Sequence, residues 1–78
     1  MGRREMIWNS GFESTRYGRK LWIITGTNKA ELRLAMRQSG HRLVEIERVR
    51  QTSGAPSLVE HPKTGRLEYL YAATGEAA

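Results

Sequence analysis

The chain has 78 residues, no cysteine and a formal net charge of +5, which predicts a single small domain over residues 1–78 without disulfides or thiolate metal sites. Hydrophobic residues make up 38% of it, enough to predict an ordered core over residues 5–72 rather than disorder. No apolar run approaches the roughly 18 residues of a membrane span, so we expect a cytoplasmic protein with no membrane partner.

Two strands are predicted in the first third of the chain. Glu5–Asn9 is short, whereas Lys20–Thr25 is a run of aromatic and β-branched residues followed by glycine. Residues 10–19 between them contain two glycines and predict a loop or a wide hairpin connection. The second strand is apolar on both faces, which is typical of a central strand but leaves open which face is buried.

A helix over Lys29–Ser39 is the clearest element. Asn28 is placed to cap its N-terminus, and Glu31 completes the spacing of a capping box. The segment is rich in alanine, leucine, arginine, methionine and glutamine, which favour helix. Gly40 follows where a left-handed residue ends many helices.

The remaining sequence predicts strands and turns. Arg42–Arg50 alternates as a strand does, and Leu58–Tyr71 predicts a hairpin with its turn at Pro62–Gly65. Pairing of His61 with Arg66 across this turn would place Leu58, Leu67, Tyr69 and Tyr71 on one face.

Residues 74–78 are expected to fray as a C-terminal tail. The predicted element order is β-β-α-β-β-β. This order indicates a two-layer α+β fold, with a single helix packed on a mostly antiparallel sheet.

The predicted helix has two distinct sides. Its apolar stripe, which we expect to face the core, is Leu32, Ala35, Met36 and Ser39. Beside this stripe, Lys29, Arg33 and Arg37 recur every four residues and form a basic ridge. Leu34 lies nearly opposite the stripe, either as an ordinary surface residue, or covered by the N-terminal segment, or as a contact for a partner or a second copy of the chain.

Ten of the thirteen cationic residues are arginine, whose planar fork suits carboxylate and phosphate. The basic ridge is either a solvated face or an anion-binding surface extended by Arg19, Lys20 and Arg42. Tyr17 and Trp22 lie among these cations in the sequence, as stacking platforms for a nucleic acid do. Glutamates dilute the positive charge, which favours a protein partner.

The sequence contains little that indicates a catalytic site. His41 and His61 have no ligand-type neighbour at metal spacing, and the chain has no aspartate. No set of nucleophile, base and orienting group is recognisable, so we expect neither an enzyme nor a cofactor or metal. A small endoribonuclease-like enzyme using a histidine as general base is the least favoured alternative.

The sequence therefore predicts a small non-catalytic binding protein of the adaptor or inhibitor type, which engages an acidic protein surface. A nucleic-acid-binding protein of weak sequence specificity is the alternative, and a homodimer through the Leu34 face is a further interpretation. The predicted binding residues are Lys29, Arg33, Arg37, Leu34, Arg19, Lys20 and Arg42.

Overall fold

The computed structural model describes the backbone of residues 7–16 and 18–77. The elements are β1 (Ile7–Arg16), β2 (Arg19–Gly26), α1 (Lys29–Gln38), β3 (His41–Arg48), β4 (Leu58–Glu60), β5 (Leu67–Tyr69) and β6 (Tyr71–Ala77). The predicted fold class and the order β-β-α-β-β-β are confirmed, and β6 follows as a further strand. Of the helices described, none has the length and apolar character needed to cross a membrane.

The strands form two sheets. Four of them pair in the order β1-β2-β6-β3, and α1 covers one face; we call this unit the body. The other two, β4 and β5, form a hairpin that we call the arm. All pairings are antiparallel. The arm joins the body through backbone hydrogen bonds, including Val49 N–H to Leu70 O at 2.8 Å and Ser57 N–H to Val49 O at 2.9 Å.

The expectation that the C-terminal tail frays is wrong for residues 74–77. Residues up to 77 belong to β6, which pairs with β2 on one side and β3 on the other, while Ala78 lies outside the described residues. The segment is rich in alanine and glycine, which have low strand propensity. Pairing along both edges supplies partners for its backbone groups, and Ala73 and Thr74 are buried.

Small residues in β6 let the helix approach the sheet closely. Ile24, Leu32, Met36 and Ala73 form the buried cluster between the two layers. A Cβ on Gly75 would collide with Sδ of Met36 and lie 3.0 Å from the carbonyl oxygen of Arg42. Glycine at this position is therefore what allows Met36 to occupy the space above β6.

Of the two predictions for residues 10–19, the loop is wrong and the hairpin connection is right in kind but far shorter than expected. β1 continues to Arg16, which pairs with Arg19 at the start of β2. Residues 10–16 include a glycine and several polar residues, with Phe12 and Thr15 as the types that favour a strand. Pairing with β2 extends the strand through them. Glu5 and Met6, from the first predicted strand, lie outside the described residues.

The helix is capped as predicted. Glu31 N–H donates to Oδ1 of Asn28 at 3.1 Å, and Gly40 has a φ of 81°. Leu32 and Met36 are buried, as expected for the apolar stripe, although Ser39 is exposed just past the helix end.

The structure also answers which face of β2 lies under the helix. Trp22 and Ile24 pack towards α1, whereas Leu21 is buried from the opposite face. β3 contributes Leu43 and Ile46 to the same core. Val44 between them lies at a register shift and is exposed.

The arm has the predicted turn and the predicted pairing of His61 with Arg66, but Tyr71, expected on the same face, belongs to β6 and packs against the core of the body. His61 N–H donates to Arg66 O at 2.8 Å, and Leu58 pairs with Tyr69. Leu58, Leu67 and Tyr69 therefore share one face, and each is exposed. The guanidinium of Arg48 covers the ring of Tyr69, with Cζ 4.1 Å from the ring centroid.

Candidate anion-binding groove

A groove of about 350 Å³ lies between α1 and the edge strand β3. Its lining residues are Arg33, Met36, Arg37, His41, Arg42 and Leu43. Three of these carry a permanent positive charge, one is a histidine, and the other two are apolar. The groove thus combines several donors for an anion with a patch that excludes water, as ligand sites commonly do.

Local geometry brings these residues together. Arg33 and Arg37 are four residues apart on α1, so their side chains leave the same side of the helix. The left-handed conformation at Gly40 turns the chain directly from α1 into β3.

His41 and Arg42 are the first residues of β3. The side chain of His41 lies on the α1 side of the sheet, where it contacts Trp22. Because neighbouring side chains of a strand point to opposite faces, that of Arg42 lies on the other face, where it pairs with Glu76.

The arginines of the groove differ in their partners. Arg42 forms an ion pair with Glu76 of β6, its register partner, and Arg19 of β2 pairs with the same carboxylate. The side chain of Glu76 is only 14% exposed. Arg33 and Arg37 are exposed, and neither forms an ion pair with another residue in the described part of the chain.

His41 is held in a defined orientation beside the groove. Its ring stacks on Trp22 with 5.4 Å between centroids and 8° between planes. Nδ1 lies 2.9 Å from Oγ of Ser39, which itself donates to the carbonyl oxygen of Met36 at 2.9 Å. Ser39 therefore links the His41 ring to the last turn of the helix.

The structure separates the predicted binding residues into groups. Arg33 and Arg37 line the groove from α1, whereas Arg42 lines it from β3 with its guanidinium turned to Glu76 on the other face of the sheet. Arg19 is linked to them only through Glu76, which it shares with Arg42. The sequence analysis thus named three residues of the groove.

The other three predicted residues lie elsewhere. Nζ of Lys29 lies 5.1 Å from the ring centroid of Tyr71 at the opposite end of the helix. Lys20 Nζ is 3.8 Å from a carboxylate oxygen of Glu13. Leu34 is 42% exposed. Of the three residues of the basic ridge, Arg33 and Arg37 line the groove, whereas Lys29 does not.

Sequence reasoning missed two functional candidates, His41 and Glu76. The sequence analysis treats His41 only as a histidine without neighbours at metal spacing and as part of the least favoured enzyme alternative, although its place directly after the glycine cap is a usable signal. Glu76 was assigned to a frayed tail, so its pairing had no visible signal. Tyr17, proposed as a stacking platform, lies outside the described residues.

The other histidine, His61, is distant from this site and lies at the turn of the arm. Its Nδ1 accepts from the backbone N–H groups of Lys63 and Thr64, at 3.1 and 3.3 Å. Across the described ranges 7–16 and 18–77, there is no cluster of three or more histidine, cysteine, aspartate or glutamate residues able to hold a metal ion.

Comparison with known proteins adds no assignment. No protein-family model, curated protein or solved structure matches the chain.

Proposed function

We propose that this protein is a small non-catalytic binding protein that engages an acidic surface of a partner protein through the groove between α1 and β3. The observation that supports this proposal is the pair formed by Arg33 and Arg37. Both guanidinium groups lack an ion-pair partner among the described residues and border an apolar lining. Arginine beside apolar surface is typical of protein interfaces.

The distribution of charge favours an acidic protein over a nucleic acid. A nucleic acid is bound by a series of cations that follow successive phosphates. Here Arg19 and Arg42 share Glu76, and Lys20 lies near Glu13. The unpaired positive charge of the groove is therefore local, and it suits one or two carboxylates better than a phosphate backbone.

The test uses a fluorescent decaglutamate peptide, with an oligothymidylate as the competing probe. Combined Arg33→Glu and Arg37→Glu substitutions are expected to weaken peptide binding at least about tenfold, because two favourable ion pairs become repulsive. Fluorescence anisotropy titration measures the effect. The matched control combines Lys63→Glu with Arg66→Glu in the exposed turn of the arm, which lowers the net charge equally and should change binding little.

Two results would contradict the proposal. Equal losses in both double variants would show that the peptide responds to net charge rather than to the groove. Tighter binding of the oligothymidylate, with a steep loss between low and moderate salt, would instead indicate the nucleic-acid alternative. Circular dichroism of each variant establishes that the fold is retained.

A further inference from the structure

We infer that the partner binds as an added strand: a short extended segment with glutamates at two alternate positions pairs with the start of β3, and both glutamates face α1. The inference rests on the proposed function and adds to it the conformation and the residue pattern of the bound segment. Its basis is the position of the groove at the outer edge of the sheet, beside Arg33 and Arg37.

The outer edge of β3 can accept an additional strand. β3 is the last strand in the order β1-β2-β6-β3, so within the described part of the chain this edge has no strand partner. An edge strand presents backbone N–H and C=O groups with which an extended peptide can pair. A register shift between Leu43 and Glu45 interrupts the edge, and the residues of β3 that line the groove, His41 to Leu43, come before it. The segment that pairs here is therefore short.

The direction of the side chains in an added strand follows from the register. His41 and Leu43 are two residues apart, and both lie on the α1 side of the sheet. Residues paired across neighbouring strands have their side chains on the same face. The two residues of the segment that lie opposite His41 and Leu43 consequently point towards α1, while the residue between them points to the other face.

The spacing of the two arginines on α1 matches this arrangement. The turn at Gly40 reverses the chain, so Arg37 lies near the start of β3 and Arg33 one helical turn further along it. Four residues of helix extend about 6 Å, and two residues of a strand extend about 7 Å. Carboxylates on alternate residues of the segment can therefore each meet one guanidinium group, whose planar geometry suits them. The methylene groups of the glutamates pack on Met36 and Leu43.

The other face of the sheet determines the residue between the glutamates. Arg42 lies on that face and already pairs with Glu76 of β6. A carboxylate at the intervening position thus has no unpaired cation of β3 to meet there, and an uncharged residue of high strand propensity, such as threonine, suits it. The expected pattern is Glu-Thr-Glu rather than a run of glutamates.

The first experiment compares two fluorescein-labelled peptides of equal composition. The alternating peptide is Gly-Ser-Thr-Glu-Thr-Glu-Thr-Ser-Gly, and the adjacent peptide is Gly-Ser-Thr-Thr-Glu-Glu-Thr-Ser-Gly. In the adjacent peptide only one glutamate can face α1. The alternating peptide is expected to bind the protein roughly threefold more tightly, the effect of one partly exposed ion pair. Fluorescence anisotropy measures both affinities, and equal values contradict the inference.

Backbone pairing is tested with N-methyl groups on the alternating peptide. The N–H groups of alternate residues point to the same side of a strand, so methylation of both glutamate nitrogens, or of two threonine nitrogens, removes donors on opposite sides. One of these two peptides should lose at least about tenfold in affinity, because its hydrogen bonds to β3 are gone. The other should bind as the unmodified peptide does. Equal behaviour of the two contradicts strand addition.

Double-mutant cycles assign each glutamate of the alternating peptide to one arginine. In the Arg37→Gln variant, replacement of one peptide glutamate by glutamine should no longer weaken binding, while replacement of the other should weaken it as in wild type. The Arg33→Gln variant should show the reverse. Equal coupling of each arginine to both glutamates would mean that binding follows net charge, and the inferred pairing is then wrong.

These results separate the inference from the proposed function. If the two methylated peptides behave alike but Arg33→Glu with Arg37→Glu still weakens decaglutamate binding, strand addition is wrong and the proposed function stands. The same holds if the wild type binds decaglutamate but not the alternating peptide. If the wild type binds neither, both proposals are overturned.

Discussion

Apolar side chains form a buried core in the body and are exposed to solvent in the arm. In the body, α1 covers the sheet, and Leu32 is fully buried at 0% exposure. In the arm, two strands of three residues each have no covering layer, and Leu67 is 66% exposed. The same residue type therefore contributes to a core in one region and remains in contact with solvent in the other.

This difference indicates where the stability of the fold arises. Burial of apolar surface requires a second layer, which only the body has. The arm is instead held by its turn, by backbone hydrogen bonds to residues next to β3 and β6, and by the contact of Arg48 with Tyr69. A two-stranded hairpin of this kind is marginal by itself, so the arm depends on the body for its order.

The largest expected effect compares the two leucines. Leu32→Ala should lower the free energy of unfolding by about 3 kcal/mol, since it leaves a cavity between helix and sheet. Leu67→Ala should change it by less than about 0.5 kcal/mol, because the side chain is already in water. Urea denaturation followed by circular dichroism measures both. Similar losses in the two variants would mean that the arm is covered in solution.

A smaller effect is expected where the helix approaches β6. Gly75→Ala should cost about 2 kcal/mol, because the new methyl group collides with Met36. The same substitution should cost much less in a Met36→Ala background, where the obstructing sulfur is gone. This double-mutant cycle isolates the contact. Additive costs would contradict the close approach of the two residues.

The smallest expected effects compare two side chains that accept backbone N–H groups. Asn28→Ala removes the helix cap and should lower the stability of the body by about 1 kcal/mol. His61→Ala removes the acceptor for Lys63 and Thr64 in the arm. It should accelerate amide exchange in that turn and leave the global stability nearly unchanged. A large global loss in the second variant would show that the arm and body unfold together.

The predictable parts of the fold were those specified by local sequence. The cap at Asn28, the glycine at position 40 and the turn from Pro62 to Gly65 are short signals whose physical basis is contained within a few residues. By contrast, β6 is a strand because β2 and β3 lie on either side of it. Its alanines and glycine favour a strand only once those neighbours exist, so a local interpretation assigned part of it to a tail.

The candidate site follows the same division. Arg33 and Arg37 were predicted to share one side of the helix because they are four residues apart, a spacing that is visible in the sequence alone. The position of the His41 ring depends on its hydrogen bond with Ser39 and on its stacking against Trp22, which comes from another strand. Similarly, Glu76 pairs with Arg19 from a distant part of the sequence. Such partners are set by the register of the sheet, which no single segment contains.

The position of β6 has a consequence for synthesis of the protein. Of the strands that the structure describes, β6 is the last to be synthesised, yet it lies between β2 and β3. Until translation passes residue 77, the nascent chain has β2 and β3 without the strand that joins them, and α1 without the small residues on which it packs. The body therefore assembles only after its last strand has left the exit tunnel, and the unpaired edges of β2 and β3 are where a nascent chain is most open to aggregation or to chaperone binding.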